Sequence, residues 1–282
     1  MARTAERGEA VEGEREFHFT RDDFEWIRET VGRETGIQLS EAKSDMVYSR
    51  LARRLRALGL HDFASYRKIL VDDPERREMA HFVNALTTNL TAFFRESHHF
   101  DHLAEVFKSA QGRVRIWSAG CSTGEEVYSI AITAREVFGA RAADRVKIIG
   151  TDLDSSVLEH AERGVYDRRR VDGLSQPRLR ENFFRGTGKN DGLVRVKPEL
   201  RRLVEFDQLN LLHEWPFRER FEVVFCRNVI IYFNKEIQSR LFERVAELMA
   251  PPAWLYIGHS ETLWKVTDRF ASHGRTIYQK TH

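Results

Sequence analysis

Cysteine and long apolar runs are scarce in this sequence, and each scarcity excludes a class of protein. The 282 residues include only two cysteines, Cys121 and Cys226, which excludes a disulfide scaffold. Both lie in apolar or glycine-rich surroundings, so we expect free thiols in a reducing cytoplasm. No apolar run is long enough to span a bilayer, and the N-terminus lacks the apolar core of a signal peptide. We therefore expect a cytoplasmic protein without direct membrane insertion.

The sequence also lacks a strong excess of charge and any evident metal-ligand pattern. Its formal net charge of +2 is too small to indicate a protein that binds nucleic acid. No group of cysteines and histidines has the spacing of a metal site. His98 and His99 are adjacent, and we expect their side chains to diverge on a helix, so no metal is predicted. A hydrophobic content of 41% in a chain of this length fits a soluble globular protein with two domains.

The first hundred residues have the pattern of a helical domain. Residues 1–16 are rich in Glu and Arg and nearly free of large apolar residues, so we expect a disordered tail. Thr20 to Asp23 form a capping-box pattern before apolar residues at helical spacing, and Gly36 ends that helical region. Three further helices are predicted, with Pro74 in the first turn of the last one, over Met46–Leu58, Asp62–Leu70 and Pro74–Leu86.

The second of these helices carries a cluster of arginines away from its leucine stripe. The cluster consists of Arg50, Arg53, Arg54 and Arg56. Two interpretations remain open: a solvated basic face, or a surface that docks to an acidic partner.

The stretch from Val114 to Tyr128 organises the second half of the chain. A buried strand, a turn of small residues with Gly120 and Gly124, and a helix follow one another. This succession is typical of the first unit of a nucleotide-binding α/β domain. The acidic pair Glu125–Glu126 disfavours a phosphate and suits a ligand that is cationic or rich in hydroxyls, such as S-adenosylmethionine. A glycine turn that only shapes the connection remains the alternative.

Three further segments extend the α/β pattern. Val146–Asp152 is a second strand that ends in an acid, and such an acid accepts hydrogen bonds from ribose hydroxyls in dinucleotide folds. Phe221–Phe233 is the most apolar strand, and it carries polar Arg227 and Asn228. The remaining predictions are a cap at Asp154, strands over Val204–Leu211, Trp254–Ile257 and Thr276–Gln279, and a helix over Lys235–Met249 that Pro251–Pro252 break.

Residues between Gly164 and Glu205 interrupt the α/β alternation. Phe183–Val196 combines glycine turns with alternating apolar residues, which indicates a small antiparallel insertion. We expect its edge strand to be able to pair with an added peptide.

Taken together, these segments resemble the CheR family, the chemotaxis receptor protein-glutamate O-methyltransferases. The matching pieces fall in order over residues 87 to 261: TTNLTAFFRE, WSAGCSTGEEVYSIA, GTDLD, GTGKNDGLVRV, FDQLNLL, FCRNVIIYF and GHSE. The resemblance implies an α/β fold: a Rossmann-like S-adenosylmethionine-dependent methyltransferase domain with a small antiparallel β insertion, preceded by an all-helical domain. The expected divisions are a tail over 1–16, a helical domain over 17–98, and a methyltransferase domain over 99–282 with a β-subdomain over 165–203.

The resemblance also implies the site residues. The implied cofactor contacts are Asn89, Thr91, Arg95, Glu125, Asp152, Asn210, Leu211, Arg227 and Asn228. The doublet leaves Glu126 as an alternative to Glu125. Arg95 is expected to orient the acceptor carboxylate, and Tyr232 to donate a hydrogen bond beside the methyl group; core packing is the alternative for Tyr232.

The implied activity is methyl transfer from S-adenosyl-L-methionine to receptor glutamates, which leaves S-adenosyl-L-homocysteine. A glutamate is ionised at neutral pH, so no general base is needed, and catalysis rests on proximity and electrostatics. The implied partners are the cytoplasmic region of a methyl-accepting receptor and its C-terminal tether peptide, with the enzyme as a monomer. A non-catalytic cofactor sensor and a methyltransferase for other substrates are the competing interpretations.

Overall fold

The computed structural model describes residues 15–281, so the predicted disordered tail lies almost wholly outside the described residues. The helices are α1 Arg21–Thr35, α2 Ser44–Leu58, α3 Phe63–Val71, α4 Arg77–Leu86, α5 His98–Ser109, α6 Glu125–Phe138, α7 Ala142–Arg145, α8 Ser155–Arg163, α9 Gln176–Asn182, α10 Pro198–Arg201 and α11 Lys235–Glu247. The strands are β1 Val114–Ala119, β2 Val146–Asp152, β3 Val165–Asp167, β4 Phe183–Arg185, β5 Leu193–Val196, β6 Val204–Gln208, β7 Phe221–Cys226, β8 Met249–Ile257, β9 Phe270–Ser272 and β10 Ile277–Lys280.

The described chain divides into two compact units. The first runs to Val31 and continues with Leu39–Leu86, and the second comprises Gly32–Gln38 and the chain from Thr87 onward. The domain divisions given above at residues 16, 98, 165 and 203 remain predictions. In the described part of the chain, no helix has both the length and the apolar character that a bilayer crossing requires.

Side-chain caps mark the starts of α1 and α4 in the first unit. The capping box is confirmed: Thr20 Oγ1 donates to Asp23 Oδ2 at 2.7 Å, and the Asp23 N–H donates back to Thr20 Oγ1 at 3.1 Å. The predicted place of Pro74 is wrong, because α4 begins only at Arg77. Asp73 accepts the Arg77 and Met79 N–H groups at 3.1 and 2.9 Å, so its carboxylate caps the helix after the proline.

The second unit is built on a seven-stranded sheet in the order β6-β2-β1-β7-β8-β10-β9. The five strands from β6 to β8 are parallel, and β10 pairs antiparallel with both β8 and β9. Successive side chains of β1 point to opposite faces of the sheet, so Ile116 packs in one buried cluster and Trp117 in the other. The chain moves from β1 outward to β2 and β6, then returns to β7 on the other side. The crevice at the carboxyl ends of β1 and β7 is therefore a topological switch point, where open α/β sheets bind ligands.

The insertion is a separate three-stranded antiparallel sheet in the order β3-β5-β4. The predicted antiparallel character is confirmed. Strand β5, which follows the glycine turns, is central and pairs on both sides. The strand edges of this sheet therefore belong to β3 and β4, and a peptide that adds to it must pair with one of those two.

The end of the last helix differs from its prediction. Helix α11 ends at Glu247, and Pro251–Pro252 lie inside β8 instead of breaking the helix. The short strand β9 was not predicted; it has three residues, of which only Phe270 is buried.

Candidate active site

The turn after β1 brings the backbone close to the loop after β7. The Gly120 and Cys121 N–H groups both donate to the Thr151 carbonyl, at 2.8 and 2.9 Å, which ties the turn to the end of β2. Gly120 has a positive φ of 76°, and a Cβ atom there would lie 2.4 Å from Cγ2 of Val229. Only glycine meets both conditions, so this position fixes how closely the two loops approach.

Asp152 closes the end of β2 with a nearly buried carboxylate. Its Oδ2 accepts the Ser122 N–H at 2.8 Å, and its Oδ1 accepts the Asp154 N–H at 3.0 Å. Burial raises the pKa of Asp152 to about 6, against the two backbone hydrogen bonds that lower it. Each carboxylate oxygen has a second lone pair, so the group is able to accept further hydroxyl donors.

The acidic doublet at the start of α6 divides between two environments. Glu125 is completely buried; it accepts Thr123 Oγ1 at 2.6 Å and pairs with Arg170, a residue next to β3. Glu126 accepts Ser118 Oγ from the end of β1 at 2.8 Å and Arg227 Nη1 from the end of β7 at 3.0 Å. The structure thus brings Glu126, and not Glu125, to the strand ends at the switch point.

Arg227 is a buried cation that links the strand ends to the segment before α5. Besides Glu126, its guanidinium donates to the Arg95 carbonyl at 2.5 Å and lies 3.5 Å from Oε2 of Glu96. Its side chain is only 2% exposed, and these contacts engage Nη1 and Nη2, whereas the buried Nε has no hydrogen-bond partner among the described residues. We infer that Arg227 orders the site more than it contacts a ligand.

The segment from Asn89 to Glu96 lies against the turn after β1. Ser122 Oγ donates to the Asn89 carbonyl at 3.0 Å, and the Asn89 amide donates to Asp154 Oδ2 at 2.8 Å. Arg95 donates to the Leu90 carbonyl at 3.0 Å and keeps 30% of its side chain exposed. Thr91 is partly exposed between them. Of these predicted residues, Arg95 therefore offers a partly accessible cationic head.

The loop after β7 supplies Asn228 and Tyr232. Asn228 has a positive φ of 59° and is partly buried, and Tyr232 is also partly buried. The Tyr232 carbonyl accepts the Gln38 N–H at 2.9 Å, which fixes the backbone of the loop at that end.

Asn210 and Leu211 follow β6 beside Asp152, because the neighbouring Leu209 N–H donates to the Asp152 carbonyl at 2.9 Å. The Asn210 side chain bridges the Glu34 carbonyl and the Leu212 N–H, at 2.8 and 2.9 Å. Its polar atoms therefore hold the loop, and the pair lies beside the acid predicted to bind ribose.

The two adjacent histidines do not diverge, so the geometric reason given above for the lack of a metal is wrong. Both Nε2 atoms lie near the Arg275 carbonyl, at 2.9 Å for His98 and 3.2 Å for His99, and the ring centroids are 4.2 Å apart. Potential ligand atoms of Glu96, His98 and His99 lie within 4.8 Å of one another. The neighbouring guanidinium of Arg227 disfavours a divalent cation there.

Most of the predicted residues are connected to one group of loops, and Thr91 and Tyr232 lie on those loops by their place in the chain. Contacts within the second unit connect Asn89, Arg95, Asp152, Asn210, Leu211, Arg227 and Asn228 to the same group of loops, whereas Glu125 contacts Arg170. Sequence patterns alone did not reveal Ser118, Glu96 or Glu261 as site-forming residues. Glu261 does lie in the GHSE motif, which was the available signal.

The donor set fits S-adenosylmethionine. Glu126 and Glu96 both contact the guanidinium of Arg227, and Glu96 also lies 4.0 Å from Nε of Arg95; the carboxylate of Glu126 is thus the group at the strand ends best placed for a cationic ligand group such as an ammonium or a sulfonium. Asp152, at the end of the neighbouring strand β2, supplies acceptor oxygens for hydroxyl groups of the ligand. This combination is unfavourable for a phosphate-rich cofactor.

Comparisons with known proteins find related methyltransferases. The family model described as the SAM binding domain of CheR methyltransferase matches residues 89–279, and that of its all-alpha domain matches residues 22–87. The chain is 48% identical to chemotaxis protein methyltransferase 2 of Pseudomonas aeruginosa over 272 residues, 95% of this chain and 96% of that protein. It is 44% identical to the chemotaxis protein methyltransferase of Escherichia coli over 256 residues, 90% of this chain and 89% of that protein.

Proposed function

The chain belongs to the CheR methyltransferase family, and from that premise we propose that it methylates side-chain carboxylates of glutamates in chemotaxis receptors, in the cytoplasm and as a monomer. The family membership confirms the resemblance, the fold class and the S-adenosylmethionine cofactor predicted from the motifs. The products are glutamate methyl esters and S-adenosylhomocysteine.

The observation that carries the proposal is the charge arrangement at the strand ends. S-adenosylmethionine supplies, when bound, a methyl group activated by the sulfonium charge. Glu126 lies where it is able to hold the cationic part of the cofactor, and Asp152 where it is able to accept the ribose hydroxyls. We assign to Glu126 the role expected for Glu125, because Glu126 lies at the ends of β1 and β7 whereas Glu125 pairs with Arg170 near β3.

The acceptor side of the site requires orientation and no proton transfer. The partly exposed Arg95 is suited to orient the acceptor carboxylate, since its Nη1 already binds the Leu90 carbonyl and restricts the head group. Tyr232 lies on the loop that follows the strand end, and we assign to its hydroxyl a hydrogen bond to the transferring group. A glutamate carboxylate is ionised at neutral pH and acts as the nucleophile without a base.

The proposal is tested by incubation of the protein with methyl-labelled S-adenosylmethionine and receptor-containing membranes of its own organism. Alkaline treatment should then release volatile labelled methanol, because esters hydrolyse in base. Boiled protein and Arg95→Ala protein are the controls. Label that resists alkali would indicate an amine acceptor and would reject the proposal.

We also propose that the three-stranded insertion tethers a C-terminal receptor peptide, by pairing with the edge of β4. Phe184 of β4 is 52% exposed and lies directly opposite Arg195 of β5, so an apolar and a basic side chain share an exposed patch. Arg185 adds a second cation for acidic groups or the terminal carboxylate of the peptide. Tethering would raise the local acceptor concentration to about the mM range.

Titration of the protein with C-terminal receptor peptides from its own organism tests the tether. We expect binding that Arg195→Glu abolishes, whereas Arg240→Glu, at an exposed position on α11, serves as the charge-reversal control. Deletion of Gly188–Gly192 should slow methylation of intact receptor and leave cofactor affinity unchanged. No peptide binding by the wild-type protein would reject the tether and make α2 the main receptor contact.

A further inference from the structure

Glu261 is a buried carboxylate that binds backbone atoms of two strand ends. Its Oε2 accepts the Asn228 N–H at 2.9 Å and the Gly258 N–H at 2.5 Å. Its Oε1 accepts the Ile230 N–H at 3.0 Å and the Ile231 N–H at 3.3 Å. One side chain thus satisfies three N–H groups of the loop after β7 and one at the end of β8.

This contact replaces regular secondary structure at the place where the parallel pairing of β7 and β8 ends. The last paired residues are Cys226 and Ile257, immediately before the N–H groups that Glu261 accepts. Beyond them the loop has no ladder to hold it, so its N–H groups need another acceptor. Burial raises the pKa of Glu261, and the four backbone hydrogen bonds oppose that rise by favouring the carboxylate.

Gly258, at the end of β8, allows the side chains of Asn228 and Glu261 to approach its backbone closely. A Cβ atom at Gly258 would lie 2.3 Å from Nδ2 of Asn228 and 2.8 Å from Oε2 of Glu261. The Asn228 side chain therefore packs directly on the glycine backbone. Asn228 itself has the left-handed conformation, which a hydrogen bond at its own N–H helps to retain.

We infer that Glu261 is a positioning residue that sets the loop from Asn228 to Tyr232 for methyl transfer. The loop carries two residues with proposed roles, Asn228 toward the cofactor and Tyr232 toward the transferring methyl group. A shift of about 1 Å in such groups is enough to cost about 100-fold in rate. The inference deepens the proposed function and depends on it for its kinetic part, whereas its structural part is independently measurable.

The test compares three variants with the wild-type protein. Glu261→Gln replaces an acceptor oxygen by an amide that donates, and Gly258→Ala displaces Asn228 and Oε2 of Glu261 while the carboxylate itself is kept. Glu243→Gln is the control. Glu243 accepts hydrogen bonds from Thr267 Oγ1 at 2.6 Å and Arg269 Nη1 at 3.2 Å, so it holds the segment that follows Glu261 and not the loop from Asn228 to Tyr232. The measurements are thermal unfolding, amide hydrogen exchange, and kcat and KM with a purified receptor fragment.

For Glu261→Gln and Gly258→Ala we expect kcat per folded molecule to fall by about 10- to 100-fold, with acceptor KM changed by less than about threefold. Amides of Asn228, Ile230 and Ile231 should lose exchange protection in Glu261→Gln and keep it in Glu243→Gln, whose kcat should stay at the wild-type value. If Glu261→Gln does not fold, Gly258→Ala carries the kinetic test.

Two results with Glu261→Gln would overturn the inference: retained amide protection, or a normal kcat in folded protein whose loop has lost protection. A normal kcat in Gly258→Ala would overturn it as well. Failure of the proposed function is distinguishable, because the wild-type protein would then form no ester while its amide-exchange pattern still followed Glu261.

Discussion

Replacing each member of the acidic doublet by glutamine should affect cofactor affinity differently. Glu126→Gln removes the charge that faces Arg227 and Ser118 at the strand ends. A lost hydrogen bond to a charged group costs about 1.5–3 kcal/mol, so cofactor affinity should fall by about 10- to 100-fold. Glu125→Gln leaves those groups in place. It should lower the stability of the protein, because it removes the fully buried carboxylate that neutralises Arg170.

For Glu125→Gln we expect a free energy of unfolding lower by about 1–3 kcal/mol and a nearly unchanged cofactor affinity. Isothermal titration with S-adenosylhomocysteine and S-adenosylmethionine, together with thermal unfolding of both variants, separates the two outcomes. The two positions are adjacent and the substitution is the same, so each variant is the control for the other. Weakened binding in a stable Glu125→Gln protein, with normal binding in Glu126→Gln, would refute the assignment.

Three further predictions concern other side chains. Because burial raises the pKa of Asp152 to about 6, its ionised form is lost as the pH falls below that value; cofactor affinity should decrease from about pH 7 to about pH 5. Asp152→Asn should bind about 1.5–3 kcal/mol more weakly and abolish this pH dependence, and an unchanged slope would remove Asp152 from the site. In α2, Arg54 pairs with the buried Glu78 at 2.5 Å, so Arg54→Glu should lower the melting temperature. The exposed Arg53→Glu should instead leave the melting temperature unchanged and slow receptor methylation at low salt, and equal rates would make the arginine cluster a plain solvated face. Finally, the buried thiols Cys121 and Cys226 should be dispensable for turnover, so a folded double alanine variant that binds cofactor without turnover would contradict this.

Local sequence signals predicted the parts of the fold that local chemistry determines. The capping box at Thr20, the strand–turn–helix unit at Gly120 and the Asp154 cap all depend on residues within a few positions of each other, and the structure has them. The end of α11 and the central place of β5 depend on strand pairing, which local patterns do not encode. Pro251–Pro252 therefore misled the prediction, although a proline pair usually ends a helix.

The candidate site shows the same division between local and distant information. Motifs placed most of the predicted residues on loops that the sheet brings together. They did not separate Glu125 from Glu126, because that choice depends on Arg170 and Arg227, which lie 45 and 101 residues away along the chain. The role of Glu261 depends likewise on N–H groups about 30 residues earlier, which only the folded chain reveals.

Tandem mass spectrometry of a receptor fragment after incubation with the protein and S-adenosylmethionine tests the central claim most directly. We predict the mass of one methylene added to specific glutamate side chains and lost on alkaline treatment. The modification should form about 10- to 100-fold more slowly when Asp152→Asn or Glu126→Gln protein is used at cofactor concentrations below its dissociation constant. Methylation of lysine, arginine or another amine, or an unmodified receptor in the presence of folded protein that binds the cofactor, would contradict the account.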